Sequence, residues 1–242
     1  SQELYTGKTY THHTIKEFIE FAMDQKKTTF IAHNLKGYDG WLLHNHLIKS
    51  FGRKPDKVTL AGCKVMYMKF GSVRFIDSLN FITTGLSEMP KMFGLDTNLF
   101  KKGFFPYLMN TDTYKNYKGP MPTASLFEPH KMKPSSGNLK KYGCIHKATE
   151  ATQRDFRDWY DSQLGKTYDF QKELLEYCQS DVDILCKSLE IFRDDMKDQN
   201  KGCDPLQSIT IAGYCMHVYL QQHAPTEAEL DKTQETKSDQ TA

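Results

Sequence analysis

Two short stretches bring a carboxylate and a phenol together. In "IAHNLKGYDGWLLHNHL", residues 31–47, an apolar strand-like run passes straight into an amphipathic helix, with Asn34, Tyr38 and Asp39 at the join. In "YCQSDVD", Tyr177 and Asp181 stand four residues apart, which puts them on one face of a helix. Chemistry on a phosphodiester gives such groups a purpose. Hydrolysis needs a nucleophilic water at neutral pH and neutralisation of charge on the attacked phosphate, and two divalent ions roughly 3.5–4 Å apart supply both. Mg²⁺ or Mn²⁺ takes carboxylate oxygens gathered from several elements. A nearby tyrosine hydroxyl can orient the water, and an asparagine can bind a phosphate or a base. Each motif alone is weak, because an Asp at a helix start is usually a cap and dipole partner and most i, i+4 Tyr/Asp pairs lie on a plain surface.

The elements that must carry these residues follow from periodicity. "TIKEFIEFAM" (14–23) spaces Ile15, Phe18, Ile19 and Ala22 as an amphipathic helix. "TTFIAHN" (28–34) reads as a strand, and a helix follows from about Tyr38 to Ile48; crevices in open α/β sheets form at the carboxyl ends of strands, where Asn34 and Asp39 would project. "KVTLAGCKVMYMKFGSVRFIDSL" (57–79) holds two or three strands broken at Gly62 and at Gly71-Ser72. "LSEMPKMFGL" is a short helical piece interrupted by Pro90. Residues 111–143 hold four prolines with little periodicity and read as a long loop or insert. A helix containing "RDFRDWYDSQL" comes next. In residues 168–199, Phe170, Leu174, Cys178, Val182, Leu185, Leu189 and Phe192 step by four or three as one continuous buried stripe, with Asp169 as N-cap and Gly202 as stop. "LQSITIAGYCMHVYLQQ" is another helix, and the acidic tail after Ala224 reads as disordered.

Composition narrows the class. With 26% charged and 38% hydrophobic residues in 242, the chain is a folded α/β protein of one main domain. No apolar run approaches the ~18 residues that span a bilayer, so no membrane partner is expected. Six cysteines without a CxxC pair point to a reducing, intracellular setting, nucleus and viral replication site both remaining open. "HNH" at 44–46 is a decoy, two histidines on the polar side of a helix. Net charge is +2, yet the stretch from Lys91 to Lys147 carries ten lysines against three acids. That excess fits either a phosphate-facing surface or a solvated lysine-rich loop. Ser1 opens the chain, so it reads as a piece of something longer.

Several motifs in order carry a family resemblance over roughly Thr28 to Leu220. "AHNLKGYDGWLL" and "YCQSDVDIL" look like the second and third exonuclease motifs of protein-primed family B DNA polymerases of viruses, linear plasmids and virus-like mobile elements. "DSLNF" resembles the segment between them whose Ser/Thr-Leu pair contacts single-stranded DNA. "LSEMPKMFGL", "KKGFFPYLMN" and "DPLQSITIAGYCM" resemble further signatures.

The resemblance implies an RNase H-like 3′–5′ exonuclease domain of a DNA-directed DNA polymerase, here lacking its first strands and bearing the basic insert. It implies Asp39 and Asp181 as metal ligands, Tyr177 as the residue orienting the water, and Asn34, Tyr38, Ser78 and Leu79 as holders of a single-stranded 3′ end. Lys166 is the candidate for the family's lysine near the scissile phosphate. The implied segments are a leading helix (1–27), the exonuclease-like domain (28–202, insert about 111–143), a helix leading towards the palm (203–223) and the tail (224–242). The implied partners are a single-stranded DNA 3′ end, the remainder of the polymerase and a terminal protein primer.

The departures from the family are specific. The first exonuclease motif, Asp-x-Glu, occurs nowhere in the chain, and the palm motifs are absent. Two other readings therefore stand beside the leading one. One is a catalytically inactive single-strand-binding relic of such a polymerase. The other is a nuclease recruiting Asp77 or Asp183, although Asp183 should point away from Asp181 on a helix.

Overall fold

The computed structural model describes residues 1–97, 99–100, 103–127 and 150–224. The expected disordered tail and insert residues 128–149 lie outside the described residues. The described chain groups into two compact units, residues 1–85 with 186 onward, and residues 86–185.

The first unit is built on a four-stranded sheet of order β1-β4-β3-β2, with β1 Thr29–Ala32, β2 Lys57–Ala61, β3 Lys64–Phe70 and β4 Val73–Asp77. The stretch 57–79 thus resolves into three antiparallel strands, and β1 returns parallel to β4. Gly62 (φ +59°) and Gly71 (φ +57°) each open a two-residue hairpin turn. Glycine adopts that left-handed conformation without Cβ strain, and such turns match the strand twist.

Helices α1 (Ile15–Asp24) and α2 (Asp39–Phe51) belong to the same unit and pack on each other. Thr14 caps α1 by accepting from the Glu17 N–H at 3.1 Å, and Glu17 reaches back to the His13 N–H at 2.9 Å. Such reciprocal capping holds the helix end by about 1 kcal/mol. One core unites Ile19 and Ala22 of α1, Leu47 of α2 and Val65, Met68 and Phe75 of the sheet. Phe30 stacks on Phe75 at 5.4 Å. Burying Phe75 alone contributes on the order of 2–3 kcal/mol.

Between the strands of the second hairpin and the chain's end run α4 (Glu150–Gln163), the long α5 (Phe170–Gln199) and α6 (Ile211–His223), after the single turn α3 (Met89–Met92). Helix α5 contributes its first half to the second unit and its second half to the first. Asp169 accepts from the Lys172 N–H at its start, and Gly202 closes its end with an N–H on the Lys197 carbonyl.

The expected continuous stripe on α5 is only partly buried. Phe170, Leu189 and Phe192 are buried, Leu174 and Val182 half-buried, and Cys178 is exposed. Helical spacing fixes which residues share a face, not how far that face is covered. In the first unit, α6 is tied to α5 by Tyr214, whose hydroxyl donates to the Met196 carbonyl and also lies against that of Cys203, and the connector between the two helices is held to α5 by the Arg193–Asp204 ion pair at 2.6 Å.

In the second unit, residues 111–127, the described part of the expected loop, are better packed than a loop reading suggests. Phe127 is buried, Tyr114, Tyr117 and Met121 pack against the cluster of buried Phe105 and Met109, and β5 (Lys118–Gly119) pairs antiparallel with β6 (Tyr168–Asp169). The ordering comes from aromatic contacts, Phe127 against Phe156, Trp159 and Tyr160 and Tyr117 against Tyr168, which periodicity does not reveal.

Candidate nucleic-acid site

In the first unit, residues 33–38 form the turn that joins β1 to α2. The turn is held by a residue outside it. Asp77 ends β4, is fully buried, and accepts three backbone N–H groups: Asn34 at 3.0 Å and Leu79 at 2.8 Å on Oδ1, Lys36 at 2.8 Å on Oδ2. Hydrogen bonds to an ionised acceptor are stronger than neutral ones, so this carboxylate fixes both the turn and the start of the 3₁₀ segment Ser78–Asn80. Lys36 donates from Nζ to Asn80 Oδ1 at 3.4 Å, and Asn80 donates to the Met66 carbonyl at 3.2 Å. Met66 lies at a bulge, where the β2–β3 register shifts between Thr59 and Leu60.

The expected site residues of this unit fall on that frame. Asn34 adopts φ +64° and its amide lies over Gly37, so close that a Cβ there would sit 2.9 Å from it. Tyr38 is 70% exposed, and Asp39 is the exposed first residue of α2. Ser78 is fully buried with its hydroxyl on His33 Nδ1 at 2.9 Å, and Leu79 is half-buried. Asp39 stands at the rim of a pocket of about 260 Å³ lined otherwise by apolar side chains, among them Phe18, Phe30, Leu35 and Leu42. That apolar wall, and next the charge of Asp77, push the Asp39 carboxyl above its ordinary value. The turn therefore offers an exposed phenol, an amide and a carboxylate beside an apolar hollow. Such a combination can receive a base and its phosphate.

In the second unit, Tyr177 is half-buried on α5. Its ring lies 5.3 Å from Phe105 and edge-on to Tyr107 at 5.8 Å, and its hydroxyl is hydrogen-bonded to that of Tyr107. Tyr107 is a residue the sequence reading did not single out; its place in "KKGFFPYLMN" was the signal available. Asp181 is half-buried one turn beyond Tyr177. Although Cys178 is exposed at its surface, the protein packed around its thiol, and then the Asp181 charge, hold that thiol above its usual range. Asp183 accepts from Gln179 Nε2 at 2.8 Å.

One turn before Tyr177, Glu173 extends the same face. Burial raises its carboxyl first and Glu176 next, while Lys172 and Lys166 oppose the shift. The i, i+4 step back from Tyr177 could have found it. Lys166 is exposed, with Nζ donating to Gln163 Oε1 at 3.1 Å.

Among the described residues no three His, Cys, Asp or Glu side chains stand together as a metal-holding group. Both Asp77 oxygens are taken by backbone N–H groups, which leaves Asp39 as the outward-facing carboxylate of the turn. The donor set does not by itself fit a two-metal centre.

The family model of DNA polymerase type B, organellar and viral, matches residues 19–239. The chain belongs to this family. The type B polymerase match runs through every motif from which the resemblance was read, and so bears out that recognition. No curated protein and no solved structure matches the chain. No helix among the described residues of this polymerase chain is long and apolar enough to cross a membrane.

Proposed function

We propose that this chain is the 3′–5′ exonuclease region of a protein-primed type B DNA polymerase, an RNase H-like domain that receives a single-stranded DNA 3′ end. The observation that supports this most is the turn at 33–39. Asn34, Tyr38 and Asp39 stand together on a backbone held by buried Asp77, inside a family match that covers most of the chain. In this reading Tyr38 and Asn34 hold the terminal nucleotide, with Leu79 and Lys166 as further contacts to the strand, while Ser78, expected as a contact, is fully buried on His33 and positions the segment from within. Tyr177, steadied by Tyr107, orients the attacking water. Asp39 and Asp181 are carboxylates for Mg²⁺ or Mn²⁺, which would supply the activated water and neutralise the phosphate once further ligands join them. The remainder of the polymerase and a terminal protein primer are the protein partners.

A second reading has its own support. No three-ligand group occurs among the described residues, which suits a relic that binds single strands without cutting them. Fluorescence anisotropy with a linear labelled single strand, competed by linear or by circular single strands, tests the shared part. Linear competitor is expected to win, and an Asn34→Ala/Tyr38→Ala variant is expected to lose that preference. Equal competition by circles would remove the 3′-end reading. Mn²⁺-dependent shortening of the strand, abolished by Asp39→Ala and by Asp181→Ala, separates nuclease from relic.

A further inference from the structure

The register of the sheet lines up cations on one face. Lys57 on β2 faces Lys69 on β3, Lys69 faces Arg74 on β4, and Arg74 faces Thr29 on β1. Directly opposed residues share a face, and neighbouring strands are about 4.8 Å apart. The three positive charges therefore form a row across three adjacent strands.

Like charges directly opposed across strands are destabilising, and among the described residues no acid is ion-paired to any of the three. Asp56, next to Lys57 in the chain, is turned instead to the Gly71 N–H. Arg74 is half-buried and held in place by neutral oxygens only: Thr29 Oγ1 accepts from Nε at 2.9 Å and from Nη2 at 2.7 Å, and the Leu206 and Gln207 carbonyls accept at 3.5 Å. Its charge is fixed and uncompensated. Lys57 is exposed and Lys69 half-exposed, so both can extend to a ligand, and exposed Arg53 and Lys54 precede β2.

We propose that the Lys57–Lys69–Arg74 row is a phosphate track that grips a nucleic-acid backbone away from the 33–39 turn. The row sits at the opposite end of β4 from Asp77, four residues along the strand from Val73 to the carboxylate. A repeating polyanion suits three cations in line on a regular sheet better than a single acid does, because roughly two or three consecutive phosphates of one strand can be met at once. Contacts of that kind position a strand without reading its sequence. The proposal rests on the reading that the protein handles DNA, but not on cleavage.

The test is a salt titration of oligonucleotide binding by the full chain and by Lys57→Gln/Lys69→Gln. Counterion release contributes about 0.7 to the log–log salt slope per single-strand phosphate neutralised. The double variant is expected to lose about 1.4 from that slope and to bind several-fold more weakly at 0.1 M salt. Lys57→Arg/Lys69→Arg should keep the slope, and the Gln variant should melt no lower than the parent because a repulsion is relieved.

An unchanged slope in a folded double variant overturns the track, even if linear strands still out-compete circles. A lost slope together with equal competition by circles keeps the track and sinks the 3′-end reading. Displacement of the oligonucleotide by polyglutamate at matched charge would overturn nucleic acid as the ligand in favour of an acidic protein. Should the Gln variant fail to fold, Lys57→Gln alone, on the exposed edge position, is expected to lose about 0.7 from the slope, and an unchanged slope overturns the track.

Discussion

The turn at residues 33–39 and the helix face at 173–181 carry the same kinds of groups, yet each is steadied differently. In the turn, the candidate side chains are exposed and the backbone beneath them is fixed by one buried carboxylate taking three N–H groups. On the helix, the backbone satisfies itself, and the side chain is fixed instead, with Tyr177 set against Phe105 and bonded to Tyr107. A turn has few hydrogen bonds of its own, so it borrows an acceptor from a neighbouring strand. A helix has no such need, and its precision comes from packing around the side chain. Mutation should therefore damage the two places to different degrees.

The largest expected effect is Asp77→Ala. Three charge-assisted bonds vanish inside the fold, each of net worth about 1.5–3 kcal/mol and not additive, so urea unfolding should show a loss on the order of 3–5 kcal/mol. A loss below about 1 kcal/mol would break the claim that this carboxylate holds the turn.

Glycines give the next contrast. A Cβ at Gly40 would meet the Leu35 carbonyl and Val65 Cβ at 3.0 Å, whereas one at Gly103 would touch Tyr177 Cδ2 at an ordinary 3.6 Å. Gly40→Ala should cost about 1–3 kcal/mol by overpacking, and Gly103→Ala close to nothing, as read by midpoints in urea. Equal costs would erase the distinction between backbone-built and side-chain-built regions.

Smaller still, Tyr177→Phe and Tyr107→Phe should each cost about 1 kcal/mol or less, and the double variant should cost less than their sum because they share one bond. Strict additivity would deny that bond.

The smallest effect is one of pH. Asp39, though exposed, has its carboxyl raised above the ordinary 3.8 first by the apolar wall that excludes water on one side of it and next by the charge of Asp77, an effect that solvent on its open side keeps small. The protonated form therefore favours the folded chain, a contribution complete below the ordinary value and lost as pH rises through the raised one. Asp39→Asn mimics that form at every pH. A slight rise in Tm is expected at pH 7, vanishing near pH 3, and a uniform shift at both would point to some other cause.

The comparison also explains what could be read from the sequence. The turn was legible because an apolar run ending in Asn-x-x-x-Tyr-Asp is a local pattern, and so were the breaks at Gly62 and Gly71-Ser72, although the strands between them could be counted only as two or three. Its anchor was not legible as an anchor: Asp77 lies 43 residues from Asn34 and shows its role only once β1 and β4 are paired. Tyr177 and Asp181 were found by helical spacing, but Tyr107 lies 70 residues from Tyr177. The cation row needs the strand register, including its shift at Thr59/Leu60, before Lys57, Lys69 and Arg74 become neighbours. On α5 the pattern over-reached, since periodicity predicted burial for Cys178 where the structure leaves it exposed. In residues 111–127 it under-reached, since aromatic packing orders a segment that has no period.

The most direct test of the central claim is photo-crosslinking of a single strand that carries a photoreactive base at its 3′ end, with the linked residue mapped by mass spectrometry. Attachment within residues 33–39, foremost at Tyr38, and loss of that product when the same base is moved to the 5′ end, is the predicted result. Attachment outside the turn, or equal yield from either end, would contradict the assignment of this turn to a DNA 3′ end.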